Sequence, residues 1–212
     1  MPNYLKKYQR LLIGIFLGLI TCFFAVNIAA PSQSINPVDT QLLSNESRLI
    51  NYQQQAESVL IAQGSMSSQS SYLLKRFSAI LSADDVYPNA ASTFSTGAIG
   101  AVLNGNRLVL RGDYRSLSSP PRDYAIDPPS PPNPKITSGV HIHRGSAKEN
   151  GPFQYALEIQ PQSDGLNGRV KGELTLTDEQ LQALNSGGLY VDLHTKNFRA
   201  GELRGTLKAY QA

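Results

Sequence analysis

The longest apolar run of the chain lies near its start, between Leu11 and Ala30, and three basic residues precede it, namely Lys6, Lys7 and Arg10. Positive charge followed by an apolar stretch is typical of an export signal of bacterial style. About 20 apolar residues are also enough to span a bilayer as a helix. Residues 1–30 are therefore predicted to be a signal peptide or a membrane anchor, with the anchor crossing the membrane through residues 11–30 if it is not cleaved. Either way the rest of the chain is predicted to be extracytoplasmic: periplasmic, on the cell surface or secreted.

A stretch rich in Gln, Ser and Asn follows Pro31, and its apolar residues recur at helical spacing. The pattern predicts a helix from about Thr40 to Ala62, with Asp39 or Thr40 as the N-cap and Gly64 as its end. We assign residues 31–71 to a helical, Ser/Gln-rich linker. A spacer between membrane and domain is the main interpretation of this helix, and a partner-binding helix is the alternative.

From residue 72 onward, short apolar runs alternate with turn residues, which is typical of strands. The tripeptide Asn104-Gly105-Asn106 predicts a tight hairpin, because Asn and Gly tolerate positive φ. We assign residues 72–212 to one all-β domain, a Greek-key-like antiparallel sandwich or barrel of about eight strands. The candidate strands are Leu73–Leu81, Ser95–Leu103, Arg107–Tyr114, Gly139–Arg144, Phe153–Gln160, Gly168–Leu176, Leu189–Thr195 and Gly201–Tyr210.

Two segments interrupt the strand pattern. Thr177 and Gln180 form a capping box that predicts one short helix, Asp178 to Ser186. Residues 118–135 hold more than half of the chain's 13 prolines. Because proline lacks a backbone N–H, this segment is predicted to be an extended, partly mobile loop outside the sheet. It is interpreted as a tolerated insertion, with docking of a proline-recognising partner as the alternative.

Composition and motifs exclude several function classes. The formal net charge is +3, and no basic cluster interleaved with aromatic residues follows the N-terminus, so no nucleic-acid partner is expected. The single cysteine, Cys22, lies in the apolar run, so the folded part offers no disulfide and no thiolate. Nucleophile elbows, phosphate-binding loops and dinucleotide fingerprints are missing from the sequence. A non-enzymatic module with an unknown protein or surface partner is therefore expected.

The chain's three histidines fall in two predicted strands, and strand side chains alternate between faces. His141 and His143 share one face of their strand, and His194 lies on the outward face of another. Asp192 shares that face, and the last strand adds Glu202 and Arg204. If these strands are neighbours, they gather one polar cluster, made of His141, His143, His194, Asp192, Glu202 and Arg204. Two interpretations stay open. One is a hydrogen-bonded structural network without a cofactor, and the other is a site that binds zinc or copper.

Several motifs, taken together in this order and spacing, resemble the CHRD domain over about Leu73 to Tyr210. They are Phe77-Ser78-Ala79-Ile80-Leu81-Ser82, Val140-His141-Ile142-His143-Arg144-Gly145, Gly188-Leu189-Tyr190-Val191-Asp192-Leu193-His194-Thr195 and Gly201-Glu202-Leu203-Arg204-Gly205. The resemblance implies an extracytoplasmic β domain without a defined biochemical activity. The proline-rich segment departs from the family pattern and is expected to widen the approach to the His-Ile-His strand. That strand is also faintly similar to one in copper/zinc superoxide dismutases. Superoxide dismutation is not expected, because a fourth histidine and the disulfide cysteines are missing.

Overall fold

The computed structural model describes residues 37–64 and 74–210, with side chains from residue 44 onward. The predicted signal peptide or anchor, residues 1–30, lies outside these described residues. Neither helix within the described ranges is both long enough and apolar enough to cross a bilayer.

The described residues form one ten-stranded antiparallel sheet with two helices. Strand order across the sheet is β5-β4-β8-β9-β1-β2-β3-β7-β6, and β10 pairs with β1. The strands are β1 (Lys75–Ser82), β2 (Thr96–Asn104), β3 (Arg107–Arg115), β4 (Val140–Arg144), β5 (Phe153–Ala156), β6 (Glu158–Pro161), β7 (Gly168–Thr175), β8 (Leu189–Leu193), β9 (Leu203–Thr206) and β10 (Lys208–Ala209). The prediction of a mostly β, antiparallel fold is confirmed.

The sheet is nearly closed into a barrel at Leu157. Strand β5 pairs with β4 at one end of the strand order, and β6 pairs with β7 at the other. Only Leu157 separates β5 from β6; it is buried, and its N–H donates to the carbonyl oxygen of Val140 at 2.9 Å. This kink lets one extended segment pair with both edges, so the predicted strand Phe153–Gln160 is two strands. The described sheet therefore has ten strands instead of about eight, the last predicted strand being divided as well.

Alternating residues of the strands fill the interior of the barrel. The buried core includes Phe77, Leu110, Ile142 and Val191, which come from strands far apart in the sequence. Their burial follows the period of two expected for a strand with one face on a core. The opposite face of β4 carries His141 and His143, and His194 directly follows β8. The apolar pattern that builds the core therefore also places these side chains outside it.

Helix α1 (Pro37–Ala62) packs against the outer face of β2 and β3. Ala56 and Leu60 are fully buried in a second apolar cluster that includes Val102 and Val109. Gly100 makes the close approach necessary, because a Cβ there would lie 2.7 Å from the backbone nitrogen of Gln53. The helix was interpreted from sequence as a spacer. Its apolar face is instead part of the folded structure.

Helix α2 (Asp178–Asn185) begins at the capping box that the sequence predicts. The Thr177 hydroxyl accepts the Gln180 N–H at 3.3 Å, and the Gln180 side-chain oxygen accepts the Thr177 N–H at 2.9 Å. Gly187 follows the helix with φ +73°, a conformation that favours glycine. The predicted short helix is confirmed, and it ends one residue earlier than expected.

Candidate metal centre

The three histidines meet on the outer face of the β4–β8 pair. Antiparallel pairing sets Asp192 opposite His141 and Tyr190 opposite His143, and His194 follows directly after β8. The His194 N–H donates to the Gly139 carbonyl oxygen at 2.7 Å and thereby continues the pairing. The His141 ring centroid lies 5.0 Å from that of His194 and 5.8 Å from that of His143. One ligand nitrogen from each ring lies within 4.8 Å of the other two.

Backbone carbonyls hold each of the three imidazoles in one tautomer. Nε2 of His141 lies 2.6 Å from the Ser138 oxygen. Nδ1 of His143 lies 3.0 Å from the Gly151 oxygen, and Nδ1 of His194 lies 3.0 Å from the Arg199 oxygen. Since a carbonyl oxygen only accepts, each of these ring nitrogens carries the hydrogen. The lone pairs therefore lie on Nδ1 of His141 and on Nε2 of His143 and His194.

Two of these lone pairs have no partner among the described residues. Nε2 of His143 and Nε2 of His194 are both buried and make no hydrogen bond. A buried polar atom left unsatisfied costs about 1–3 kcal/mol. Fixing the N–H of a histidine on a carbonyl while the other nitrogen faces a metal is the usual arrangement around protein-bound metals. The residues present thus fit a metal ion that accepts imidazole nitrogen.

Burial favours the neutral form of two of the histidines. It lowers the pKa of His141 to about 3, and the electrostatic effect of the neighbouring His194 lowers it further. Burial likewise lowers the pKa of His194, although the Asp192 carboxylate opposes that change. A neutral imidazole is the form that binds metal, so no proton has to be displaced from these two ligands near neutral pH.

The proline-rich segment and β5 cover the cluster with aromatic rings. The Tyr124 ring centroid lies 5.3 Å from that of His141, and the Phe153 ring centroid lies 5.4 Å from the same imidazole in a T-shaped arrangement. The Arg122 N–H donates to the His194 oxygen at 2.9 Å, and the Arg122 guanidinium lies 4.5 Å from the Tyr124 ring centre. The expectation that this segment widens the approach to β4 is wrong. The segment folds across the histidines, and Tyr124 is buried.

Asp192 and Arg204 lie beside the cluster but are paired with each other. Two hydrogen bonds of 2.7 Å join the Arg204 guanidinium to the two carboxylate oxygens of Asp192. Both residues are almost fully buried. The group with metal-ligand spacing found among the described residues consists of the three histidines alone. Asp192 therefore acts on the cluster through its charge near His194, not as a ligand.

Glu202 lies apart from the histidines, contrary to the expectation that it joins their cluster. It is fully buried, and its carboxylate accepts hydrogen bonds from Thr195 Oγ1 at 2.5 Å, from the Ser118 N–H at 2.7 Å and from the Ser95 hydroxyl. Continued strand alternation would place Glu202 on the same face as Arg204. Glu202 lies before the first residue of β9, however, and its carboxylate contacts Ser118 at the start of the proline-rich segment.

Sequence reasoning did not identify the groups that orient the histidines. Three of these groups are the backbone carbonyls of Ser138, Gly151 and Arg199. Every residue has a backbone carbonyl, so residue type does not indicate which one will contact a histidine. Tyr124 was also missed, since a tyrosine in a proline-rich segment carries no signal of what it covers. Alternation in β8 places Tyr190 on the same face as Asp192, and the Tyr190 ring stacks on that of His143, with centroids 5.4 Å apart and planes 9° from parallel.

Comparisons with known proteins agree with the motifs. Neither a curated protein nor a solved structure matches this chain. The model of the CHRD domain matches residues 77–207, which is more than half of the sequence and includes all three histidines and the Asp192–Arg204 pair. A CHRD domain indicates a binding or structural module. Because the match covers more than half of the sequence, this chain belongs to the CHRD domain family.

Proposed function

We propose that this protein is an extracytoplasmic, non-enzymatic CHRD module that binds one transition-metal ion, zinc or copper, through His141, His143 and His194. The observation that carries the proposal is the arrangement of the three imidazoles. Each has one ring nitrogen on a backbone carbonyl oxygen, and one ligand nitrogen of each ring lies within 4.8 Å of those of the other two.

A purely structural network explains the arrangement less well. In such a network the histidine nitrogens would bond to the neighbouring charged side chains. Asp192 and Arg204 bond to each other instead, and Glu202 bonds to hydroxyl and N–H groups elsewhere. Nε2 of His143 and Nε2 of His194 are buried and have no hydrogen-bond partner among the described residues. A bound cation would use both of those lone pairs and offset the cost of burying them.

The donor chemistry supports zinc or copper over harder cations. Three imidazole ligands suit Zn²⁺ and copper, whereas Mg²⁺ and Ca²⁺ prefer oxygen ligands. When bound, the metal supplies a positive charge that links β4 to the segment after β8. His141 and His143 would hold it from β4, and His194 would hold it from the residue that follows β8. The Tyr124 ring of the proline-rich segment, 5.3 Å from that of His141, would limit the access of water to this position.

Export is the second part of the proposal. The basic residues ahead of the apolar run Leu11–Ala30 support a signal peptide or an anchor. A domain outside the cytoplasm would meet its protein or surface partner there, and the metal would stabilise the fold that presents the binding surface.

The test is elemental analysis and a zinc and copper titration of the full chain, beside a His141→Ala/His143→Ala double variant. Glu158→Gln is the matched control, because Glu158 is exposed and its carboxylate pairs with Lys171 on β7. We expect one metal ion per chain in the wild type and in the control, and none in the double variant. A folded wild type that binds no metal, or a double variant that still binds it, would overturn the proposal.

A further inference from the structure

Three side chains form a stacked column that ends at one of the proposed metal ligands. The Arg204 guanidinium lies 4.3 Å from the centre of the Tyr190 ring. Tyr190 is also stacked on the His143 imidazole, with centroids 5.4 Å apart and planes 9° from parallel. Strand β8, which carries Tyr190, lies between β4 with His143 and β9 with Arg204, so the Tyr190 ring links the two side chains.

Arg204 also holds the segment that orients His143, residues 145–151, which we name the β4–β5 loop. Its guanidinium donates to the carbonyl oxygens of Ala147 at 3.1 Å and Glu149 at 2.9 Å, and to Asn150 Oδ1 at 2.9 Å. Asp192 takes the remaining donors and balances the charge. The buried Arg204 side chain therefore makes hydrogen bonds to three residues of the loop and to Asp192 on β8.

At the end of the loop, both backbone groups of Gly151, its N–H and its carbonyl oxygen, make hydrogen bonds to side chains. The Gly151 N–H donates to the Tyr190 hydroxyl at 2.7 Å, and that hydroxyl donates to the Glu149 oxygen at 3.1 Å. The Gly151 oxygen accepts the Nδ1 hydrogen of His143. Glycine is required here, since a Cβ would lie 1.9 Å from the Arg144 oxygen. The position of the Gly151 carbonyl thus depends on Tyr190 and on the loop that Arg204 holds.

We propose that Arg204 is a positioning residue for His143: it fixes the β4–β5 loop and the Tyr190 ring so that the Gly151 carbonyl holds His143 in the Nδ1–H tautomer with Nε2 free for metal. The inference rests on the proposed function for its metal readout. A free imidazole in water prefers hydrogen on Nε2, the nitrogen that must be bare here. The loop therefore has to impose the tautomer, and the fork of Arg204 supplies the geometry.

Imidazole nitrogen NMR of the metal-free full chain tests this directly. In the wild type we expect His143 and His194 as Nδ1–H tautomers and His141 as the Nε2–H tautomer. In Arg204→Lys the ammonium retains the pairing with Asp192 but cannot reach all three loop acceptors. We expect His143 to shift toward the Nε2–H tautomer, while His194, held by the Arg199 oxygen, stays unchanged. A general loss of structure would change both rings, so His194 is the internal control.

Tyr190→Phe provides a second variant if Arg204→Lys does not fold. It keeps the ring between Arg204 and His143 and removes only the hydroxyl that joins Gly151 to Glu149. We expect the same change at His143 and a metal affinity about 10- to 100-fold weaker, as is usual when a group that orients a ligand is lost. Arg76→Gln, which removes an ion pair with Glu57 on helix α1, should leave the tautomer and the affinity unchanged.

The outcomes separate this inference from the proposed function. Unchanged His143 tautomers in both variants would overturn the positioning role even if the protein binds metal. A tautomer shift in a chain that binds no metal would support the positioning of His143 and overturn the proposed function. Unchanged metal affinity in a variant whose tautomer shifts would overturn the link between Arg204 and the metal site.

Discussion

The Glu202 carboxylate accepts the backbone N–H of Ser118 at 2.7 Å, and this contact joins the start of the proline-rich segment to the residue before β9. The Ser118 hydroxyl donates to the same carboxylate at 2.8 Å, and Thr195 donates at 2.5 Å. Thr195 follows His194 directly. One buried carboxylate therefore anchors both the segment that covers the histidines and the chain that carries one of them.

Glu202→Ala is expected to lower the free energy of unfolding by about 2–4 kcal/mol. The substitution leaves the Ser118 N–H and the hydroxyls of Ser95, Ser118 and Thr195 without this acceptor, and hydrogen bonds to charged groups are among the stronger ones. Chemical denaturation measures the loss. Glu158→Ala, at an exposed position, should change stability by less than about 0.5 kcal/mol. An equal effect of the two substitutions would contradict the anchoring role.

Asp192→Ala is expected to cost about 3–5 kcal/mol, because it leaves the Arg204 charge buried without its partner. The double variant Asp192→Ala/Arg204→Met should be less destabilised than the sum of its two single variants, since it retains no unpaired charge. A double-mutant cycle in denaturant measures this coupling. Additive single effects would show that the pair contributes no interaction of its own.

Tyr124→Ala is expected to speed removal of the bound metal by a chelator by about tenfold, with a fold that stays intact. The change takes away the ring that lies 5.3 Å from that of His141, and we expect this ring to limit the access of water and chelator to the cluster. Tyr124→Phe keeps the ring and should release metal at the wild-type rate. Tyr87→Ala removes a half-exposed tyrosine and serves as the control. Equal release rates in Tyr124→Ala and Tyr124→Phe would show that this ring does not control access.

Gly100→Val is expected to lower the free energy of unfolding by about 1–3 kcal/mol or more, as overpacking usually does. A side chain at this position meets the backbone of helix α1 at 2.7–2.8 Å and must push the helix away from β2. Gly105→Asn is the control, because the space around Gly105 is open and asparagine tolerates its φ of +61°. Full stability of Gly100→Val would mean that the close packing of α1 on β2 contributes little to the fold.

The sequence alone determined the features that depend on near neighbours in the chain. The capping box of Thr177 and Gln180 defines where α2 begins, because both of its hydrogen bonds are made within four residues. The turn at Gly105 defines the β2–β3 hairpin for the same reason. Alternation in β4 and β8 places His141, His143 and His194 on outward faces, since the period of a strand is two.

Only the tertiary structure decided which of those residues meet. Pairing of β4 with β8 places His194 beside His141, whereas Glu202, which precedes β9, contacts Ser118. The single sheet closes at Leu157, and α1 packs on Gly100, through contacts between residues far apart in sequence. The carbonyl that orients His143 belongs to a loop held by Arg204. Local pattern specifies a face for each side chain, but distance and partner depend on strand register and on backbone positions set by the whole fold.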